Sequence, residues 1–160
     1  LVENDLSNRQ DRAGSGKSKV VNISIQNFEN PPSPLLTVGK PVRFIIRVSN
    51  NMSGLSCAFT IYDHLGQPIT AFDSINPAPN DCPNHIINNE FICDIDELAI
   101  APGFYTMNVA LRSQGELQDH VESAVRFSIE EGFFNGRRVK KNDFIRSVLK
   151  HTWKTPSNGV

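Results

Sequence analysis

From Val21 onward, apolar and polar residues alternate along the chain. Val21-Asn22-Ile23-Ser24-Ile25 has the two-residue period of a strand with one buried face. Gly39-Lys40-Pro41 opens a second such run. In it Val42, Phe44, Ile46 and Val48 share one side, and Arg43, Ile45, Arg47 and Ser49 share the other. NNMSG at 50–54 turns the chain. Cys57, Phe59 and Ile61 then alternate with Ala58, Thr60 and Tyr62, and DHLGQP at 63–68 is a tight connection into Ile69–Phe72. Phe91, Cys93 and Ile95 mark another strand. After the turn Ala101-Pro102-Gly103, Tyr105, Met107, Val109 and Leu111 alternate with Phe104, Thr106, Asn108, Ala110 and Arg112. Residues 116–122 read as a helical turn, and Val125, Phe127 and Ile129 end the series.

About seven short strands, with turn signals between them and no long helix, predict an all-β fold: an antiparallel β-sandwich. Strands near 19–28, 41–50 and 87–96 are assigned to one sheet. Those near 56–63, 69–73, 103–112 and 121–130 are assigned to the other. NPPSP at 30–34 is a rigid non-pairing loop, and residues 74–86, with Pro77, Pro79 and Pro83, form a long one. The chain divides into a flexible lead-in (1–17), the sandwich (18–131), a charged, glycine-containing linker (132–143) and a C-terminal segment and tail (144–160). FIRSVLKHTWK at 144–154 sets Phe144, Val148 and the sole tryptophan, Trp153, among Lys and Arg. It fits a short helix or an extended strand, and periodicity does not decide between them. Exchange of such a segment between identical chains is a low-cost route to a dimer.

Composition narrows the function. A chain of 160 residues with 39% hydrophobic content is long enough for one domain with a core. A net charge of −1 argues against a nucleic-acid partner. No apolar run approaches the roughly 18 residues of a membrane span. The opening LVENDLSNRQD has no apolar centre, so it is not a signal peptide, and the missing initiator Met leads us to expect a fragment of a longer protein. Three cysteines, Cys57, Cys82 and Cys93, point to a reducing compartment, with a Cys82–Cys93 bridge open to an exported chain. The sequons at Asn22 and Asn51 carry no meaning inside a cell.

The chemistry-bearing motifs are weak. RAGSGKSKV at 12–20 looks like the end of a phosphate-binding loop, but the glycine required five residues before Gly16 is Asp11. Polar ENDLSNRQD precedes it where a buried strand is needed, and strand-like VVNISIQNF follows where a helix is needed. It reads as a flexible entry to the first strand. His64, His85, His120 and His151 share no metal-ligand spacing with one another or with a cysteine. His64, beside Asp63, reads as a solvated turn residue. Cys57 points with Phe59 into the core and behaves as a small hydrophobe. Asp94, Asp96, Glu97, Glu130 and Glu131 include carboxylates for a glycosidase pair, a reading set against the plainer one of solvated strand edges. Arg137, Arg138, Lys140 and Lys141 read as a solvated basic linker. No cofactor and no catalytic group is expected.

Several blocks in order carry a family resemblance: the Gly-Ser-Gly lead-in running into VVNISI, then GKPVRFIIRV, CAFTIYDHLGQPI, LAIAPGFYTMNVAL, SAVRFSIEE and a closing HTWK. The chain resembles, over residues 12–155, the C-terminal carbohydrate-binding domain of Wzt, the nucleotide-binding subunit of O-antigen polysaccharide ABC transporters. The L-A-x-A-P-G-x-Y-x-x-x-V-A-L pattern at Leu98–Leu111 is its most specific piece. The resemblance implies an immunoglobulin-like or jelly-roll sandwich that follows an ATPase domain absent from this chain. It implies recognition of the non-reducing end of a lipid-linked O-antigen polysaccharide at the cytoplasmic face of the inner membrane, and association with the transporter's membrane subunit. It implies a homodimer exchanging its C-terminal strand, to which Phe144, Val148 and Trp153 would belong.

The resemblance transfers no sugar-contacting residue, so the site is argued from the strands. The wet face of the second sheet presents Thr60, Tyr62, Thr106, Asn108, Arg112, Arg126 and Ser128. Hydroxyls and amides match sugar hydrogen bonds, an aromatic ring covers a sugar's C–H face, and arginine suits an acidic sugar or a phosphate cap. Thr60, Tyr62, Thr106, Asn108, Arg112 and Arg126 are the candidate carbohydrate-binding residues. Arg43, Ile45, Arg47 and Asp94 form the rival face. The alternatives to a glycan-binding module are a structural or adhesion sandwich that binds protein, and a sugar-active hydrolase.

Overall fold

The computed structural model describes residues 2–27, 29, 35–83 and 89–156. Alternation produces strands where it is cleanest: β2 (Val20–Asn27), β4 (Val42–Val48), β5 (Leu55–Tyr62), β6 (Pro68–Asp73), β7 (Glu90–Ile95), β8 (Gly103–Ser113) and β9 (Glu116–Glu130). Four short strands join them: β1 (Val2–Asp5), β3 (Leu36–Thr37), β10 (Gly132–Phe134) and β11 (Arg137–Val139). One sheet has the order β1-β2-β4-β7 and the other β3-β9-β8-β5-β6, with β10 and β11 a separate hairpin. The two-sheet division predicted for the seven longer strands is the one observed. Pairing is antiparallel except where Leu36 of β3 meets Ile129 of β9 in parallel. Among the described residues no helix is long and apolar enough to cross a membrane. The 30–34 loop, residues 84–86 of the second long loop with His85 among them, and residues 87 and 88 of the strand expected near 87–96 lie outside the described residues.

The core lies between the sheets. Val42, Phe44, Ile46 and Val48 are buried, facing Cys57, Phe59 and Ile61 and, beyond them, Tyr105, Met107, Val109 and Leu111. Phe44 links the two layers: its ring centre lies 4.9 Å from Phe59 and 6.4 Å from Phe127, while Phe59 stacks on Phe72 at 4.6 Å. Burial pushes the Cys57 thiol up to about 12. All three cysteines are unbridged.

Four segments depart from the pattern. Residues 116–122 are not a helical turn; they are the first half of β9. Gln118 and Asp119 are both buried there, which breaks the apolar alternation that would have announced a strand. Their partner is the lead-in. Ala13 bridges His120, the Ser15 and Gly16 N–H groups donate to the Leu117 and Gln118 carbonyls at 3.0 and 2.8 Å, and Ser15 Oγ lies 2.8 Å from Gln118 Oε1. The N–H groups of Ala13, Ser15 and Gly16 in the apparent phosphate loop are therefore engaged by a strand. Gly14 is required, since at φ +111° a Cβ would lie 2.4 Å from the Gln118 carbonyl oxygen. Before this, Val2–Asp5 pairs with β2. The start of the expected linker, 132–139, is the β10–β11 hairpin. It packs so closely on the chain after β3 that a Cβ on Gly39 would lie 1.8 Å from the Phe133 oxygen. The C-terminal segment is neither helix nor regular strand; Ser147 makes one isolated bridge, to Ile100.

A buried ion pair locks the lead-in. Asp119 Oδ2 accepts from the Val20 N–H at 2.8 Å and lies 3.4 Å from Arg12 Nη1. Arg12 Nη2 donates to the Leu6 carbonyl at 3.0 Å. Removing one partner strands a buried charge, so Asp119→Ala should lower unfolding free energy by about 3–5 kcal/mol in urea titrations. The double change Arg12→Met with Asp119→Leu should cost far less. A single variant as stable as the parent would show that the pair is not a clamp.

Candidate functional site

Period-two burial on β8 and β9 decides what the outer face of the second sheet displays. Register places Tyr62, Thr106 and Arg126 side by side in one rung across β5, β8 and β9. Phe104 and Ser128 form the next rung toward the start of β8, and Thr60 and Asn108 the next in the other direction. Phe104 is out of keeping with a wet position: it is a large ring, 65% exposed.

An open cleft of about 430 Å³ lies over the first two rungs. Thr106, Arg126, Ser128 and Phe104 contribute from the sheet, Asp63 and His64 from the β5–β6 turn, and Tyr105 and Phe127 from beneath. A second compartment of about 150 Å³ shares His64, Phe104 and Tyr105, and is closed by Lys141, Asn142, Asp143 and Arg146. Its wall is therefore the C-terminal segment, running back along residues 99–101. The Ala101 N–H donates to the Arg146 carbonyl at 2.9 Å and the Val148 N–H to the Ala99 carbonyl at 3.0 Å.

Two anchors hold the cleft in shape. Tyr105 Oη donates to the Ala101 carbonyl at 2.6 Å, pinning the start of β8 to the turn before it, and burial raises its phenol pKa. Asp63 is 4% exposed with both oxygens engaged. Oδ1 accepts from the Leu65 and Gln67 N–H groups at 2.9 Å, and Oδ2 from Arg146 Nε at 3.0 Å. Its carboxyl sits below the ordinary aspartate value, chiefly through the Gln67 N–H, with Arg146 and the Leu65 N–H adding and burial opposing. The rest of the Arg146 guanidinium gathers the carbonyls of Asn142, Asp143 and Ile145 and approaches His64 Nδ1 at 3.4 Å.

Of the six residues expected to bind ligand, Thr106 and Arg126 line the cleft. Tyr62 adjoins Thr106 in register, outside the lining, and Thr60 lies one rung further. Asn108 serves the backbone instead. Its Oδ1 accepts the Ser123 N–H at 2.8 Å, fixing a β9 bulge where Ser123 has φ +49°. Arg112 is six residues along β8 from Thr106, about 20 Å at strand rise, and belongs to no common site with it. Phe104, His64 and Lys141 were missed. Phase alone could have found Phe104, an aromatic at an outward position. His64 and Lys141 arrive from remote segments, with no local signal. Among the expected dimer residues, Phe144 is 90% and Trp153 72% exposed, and Val148 packs against the core.

The rival face is occupied by itself. Arg43 donates to Asp94 through two bonds, 2.7 and 2.9 Å, and Arg47 pairs with Glu90. The hydrolase reading loses Asp94 to this pairing, and Asp63, locked as an ionised acceptor, cannot serve as a general acid. Among the described residues no three His, Cys, Asp or Glu side chains converge as a metal site.

Comparison with known proteins agrees with this architecture. The family model described as the Wzt C-terminal domain matches residues 9–140. A solved structure described as the crystal structure of the C-terminal domain of Wzt superposes with a TM-score of 0.68 at 12% identity, covering 96% of this chain and 93% of that one. At that identity the likeness is one of fold. No curated protein matches the chain.

Because Asp63 is more acidic when bonded, its contribution to holding the C-terminal segment is complete above the ordinary aspartate pKa of about 3.9. It is lost as pH falls through the lowered value. Hydrogen-exchange protection of the Val148 amide, corrected for intrinsic rate, should fall over that acid range, and Asp63→Asn should flatten the dependence. Equal pH dependence in both proteins would show that Asp63 does not hold the segment.

Proposed function

The chain belongs to the Wzt C-terminal domain family, and from that membership and the cleft together we propose a non-catalytic glycan-binding module. It reads the non-reducing end of a lipid-linked O-antigen polysaccharide on behalf of an ABC transporter. The observation that carries the reading is Phe104: an exposed aromatic floor in a cleft, flanked by Thr106, Ser128 and Arg126. A sugar offers an apolar C–H face to such a ring and hydroxyls to the groups around it. Tyr62 and Thr60 extend the surface along the strand for a second sugar. Binding at one site is weak, since each hydrogen bond to the sugar replaces one to water.

The module works with an ATPase domain and a membrane subunit at the cytoplasmic face of the inner membrane. It acts as a homodimer through the C-terminal segment, where Phe144, Leu149 and Trp153 hold apolar surface out to solvent. Two sites on a tethered dimer raise the effective affinity.

Two measurements test this. Phe104→Ala should weaken glycan binding about tenfold, the loss of one stacking contact, without shifting the thermal midpoint. Undiminished binding would remove the cleft from consideration. Truncation after Val139 should give monomers or insoluble protein in sedimentation runs; a well-behaved dimer would refute exchange of the segment.

A further inference from the structure

The charge around Phe104 goes beyond what a neutral sugar needs. Arg126 lies diagonal to Phe104 on β9, and its guanidinium makes no hydrogen bond or ion pair among the described residues. The Lys141 ammonium lies over the same ring, with Nζ 5.4 Å from its centre. Its backbone N–H donates to Glu131 Oε2 at 2.7 Å, and among the described residues its ammonium makes no hydrogen bond or ion pair. The third cation at the cleft, Arg146, is fully committed to Asp63 and to backbone carbonyls. Across the two compartments three cations line up against two carboxylates, Asp63 and Asp143, and Asp63 is the one Arg146 already satisfies. Glu130 stands one rung beyond Phe104, outside the lining of either compartment.

On the opposite sheet Arg43 and Arg47 each have a carboxylate directly across the strand pair. Arg126 has Thr106 there instead. Among the described residues no carboxylate stands across the strand pair from it, at a place where an aromatic floor and a cleft coincide. A guanidinium so placed presents its planar fork to an incoming anion and grips a carboxylate or phosphate through two parallel bonds. Lys141 adds a point charge over the same ring.

We propose that the cleft takes a terminal sugar bearing an anionic substituent, a carboxylate or a phosphate ester. The sugar ring lies on Phe104 and the anion meets Arg126, with Lys141 closing over it. This rests on the glycan-binding reading and specifies what is read.

The test is a glycan array with neutral, uronate and phosphate-bearing termini, followed by calorimetry on a neutral and a charged glycan of the same backbone. The charged terminus should bind about tenfold more tightly, as expected for one charge-assisted contact at a partly exposed site, and the advantage should shrink in salt. Arg126→Gln should weaken the charged glycan about tenfold more than the neutral one, erasing the advantage, whereas Phe104→Ala should weaken both glycans alike. Whether uronate or phosphate binds better identifies the source of the anion. Binding confined to neutral termini, or an advantage that survives Arg126→Gln, overturns the anionic site and leaves the glycan reading standing. Binding to no terminus overturns both.

Discussion

Along β8, Tyr105, Met107, Val109 and Leu111 are driven into the core, and the two-residue period of a strand leaves Phe104, Thr106, Asn108 and Arg112 no place but the outer face. The phase is fixed from both sides. Tyr105 is tied to the Ala101 carbonyl, and the buried set stands beside Phe127, Val125 and Val121 across the β8–β9 pair. A slip of one residue would bury Arg112 and Thr106 and expose four core side chains. The exposure of Phe104 follows from its place in that register. An aromatic ring kept wet by such a constraint is a surface waiting for an apolar partner.

The two outer faces of the sandwich are built from similar residue types and end in different states. Both carry outward arginines, on β4 of the first sheet and on β8 and β9 of the second. On the first sheet, β4 and β7 bring Arg43 opposite Asp94 and Arg47 opposite Glu90, so each charge meets its complement across the ladder. Cross-strand pairs of this kind stabilise a sheet and leave little for a ligand. On the second sheet, Arg126 faces Thr106, which in turn faces Tyr62. Composition treats these arginines alike. Register separates them, by setting which residue stands across the strand.

That difference also marks how far the sequence could be read. The seven long strands and their division between sheets follow from alternation, because burial of one face imposes the period directly. The first half of β9 was hidden because Gln118 and Asp119 are buried polar residues whose partners, Ser15, Val20 and Arg12, lie about a hundred positions away. Thr106 and Arg126 were legible as outward residues near one another. Asn108 was equally outward, but its amide serves the β9 bulge at Ser123, and a bulge has no signature in a single strand's pattern. Arg112 shared the face with Thr106 and lacked the proximity, which depends on distance along the strand as well as phase. His64 and Lys141 come from a turn and from beyond the β10–β11 hairpin, and only tertiary structure brings them to Phe104.

The cleft draws its two walls from parts of the molecule that differ in how firmly they are held. Arg126, Thr106 and Phe104 stand on paired strands over the core. Lys141 stands on a segment fixed by its own N–H bond to Glu131, by two backbone bonds to residues 99–101, by the Arg146–Asp63 pair and by the packed Val148 side chain. Segments with so few buried contacts open at the low end of a protein's range of local stabilities. A ligand that touches only the ring and Arg126 has no reason to prefer the docked segment. One whose anion reaches Lys141 as well binds the docked form better, and by linkage favours that form to the extent of its differential affinity. The chemistry of the sugar's substituent would then set both how tightly the end is held and whether the C-terminal segment closes over it.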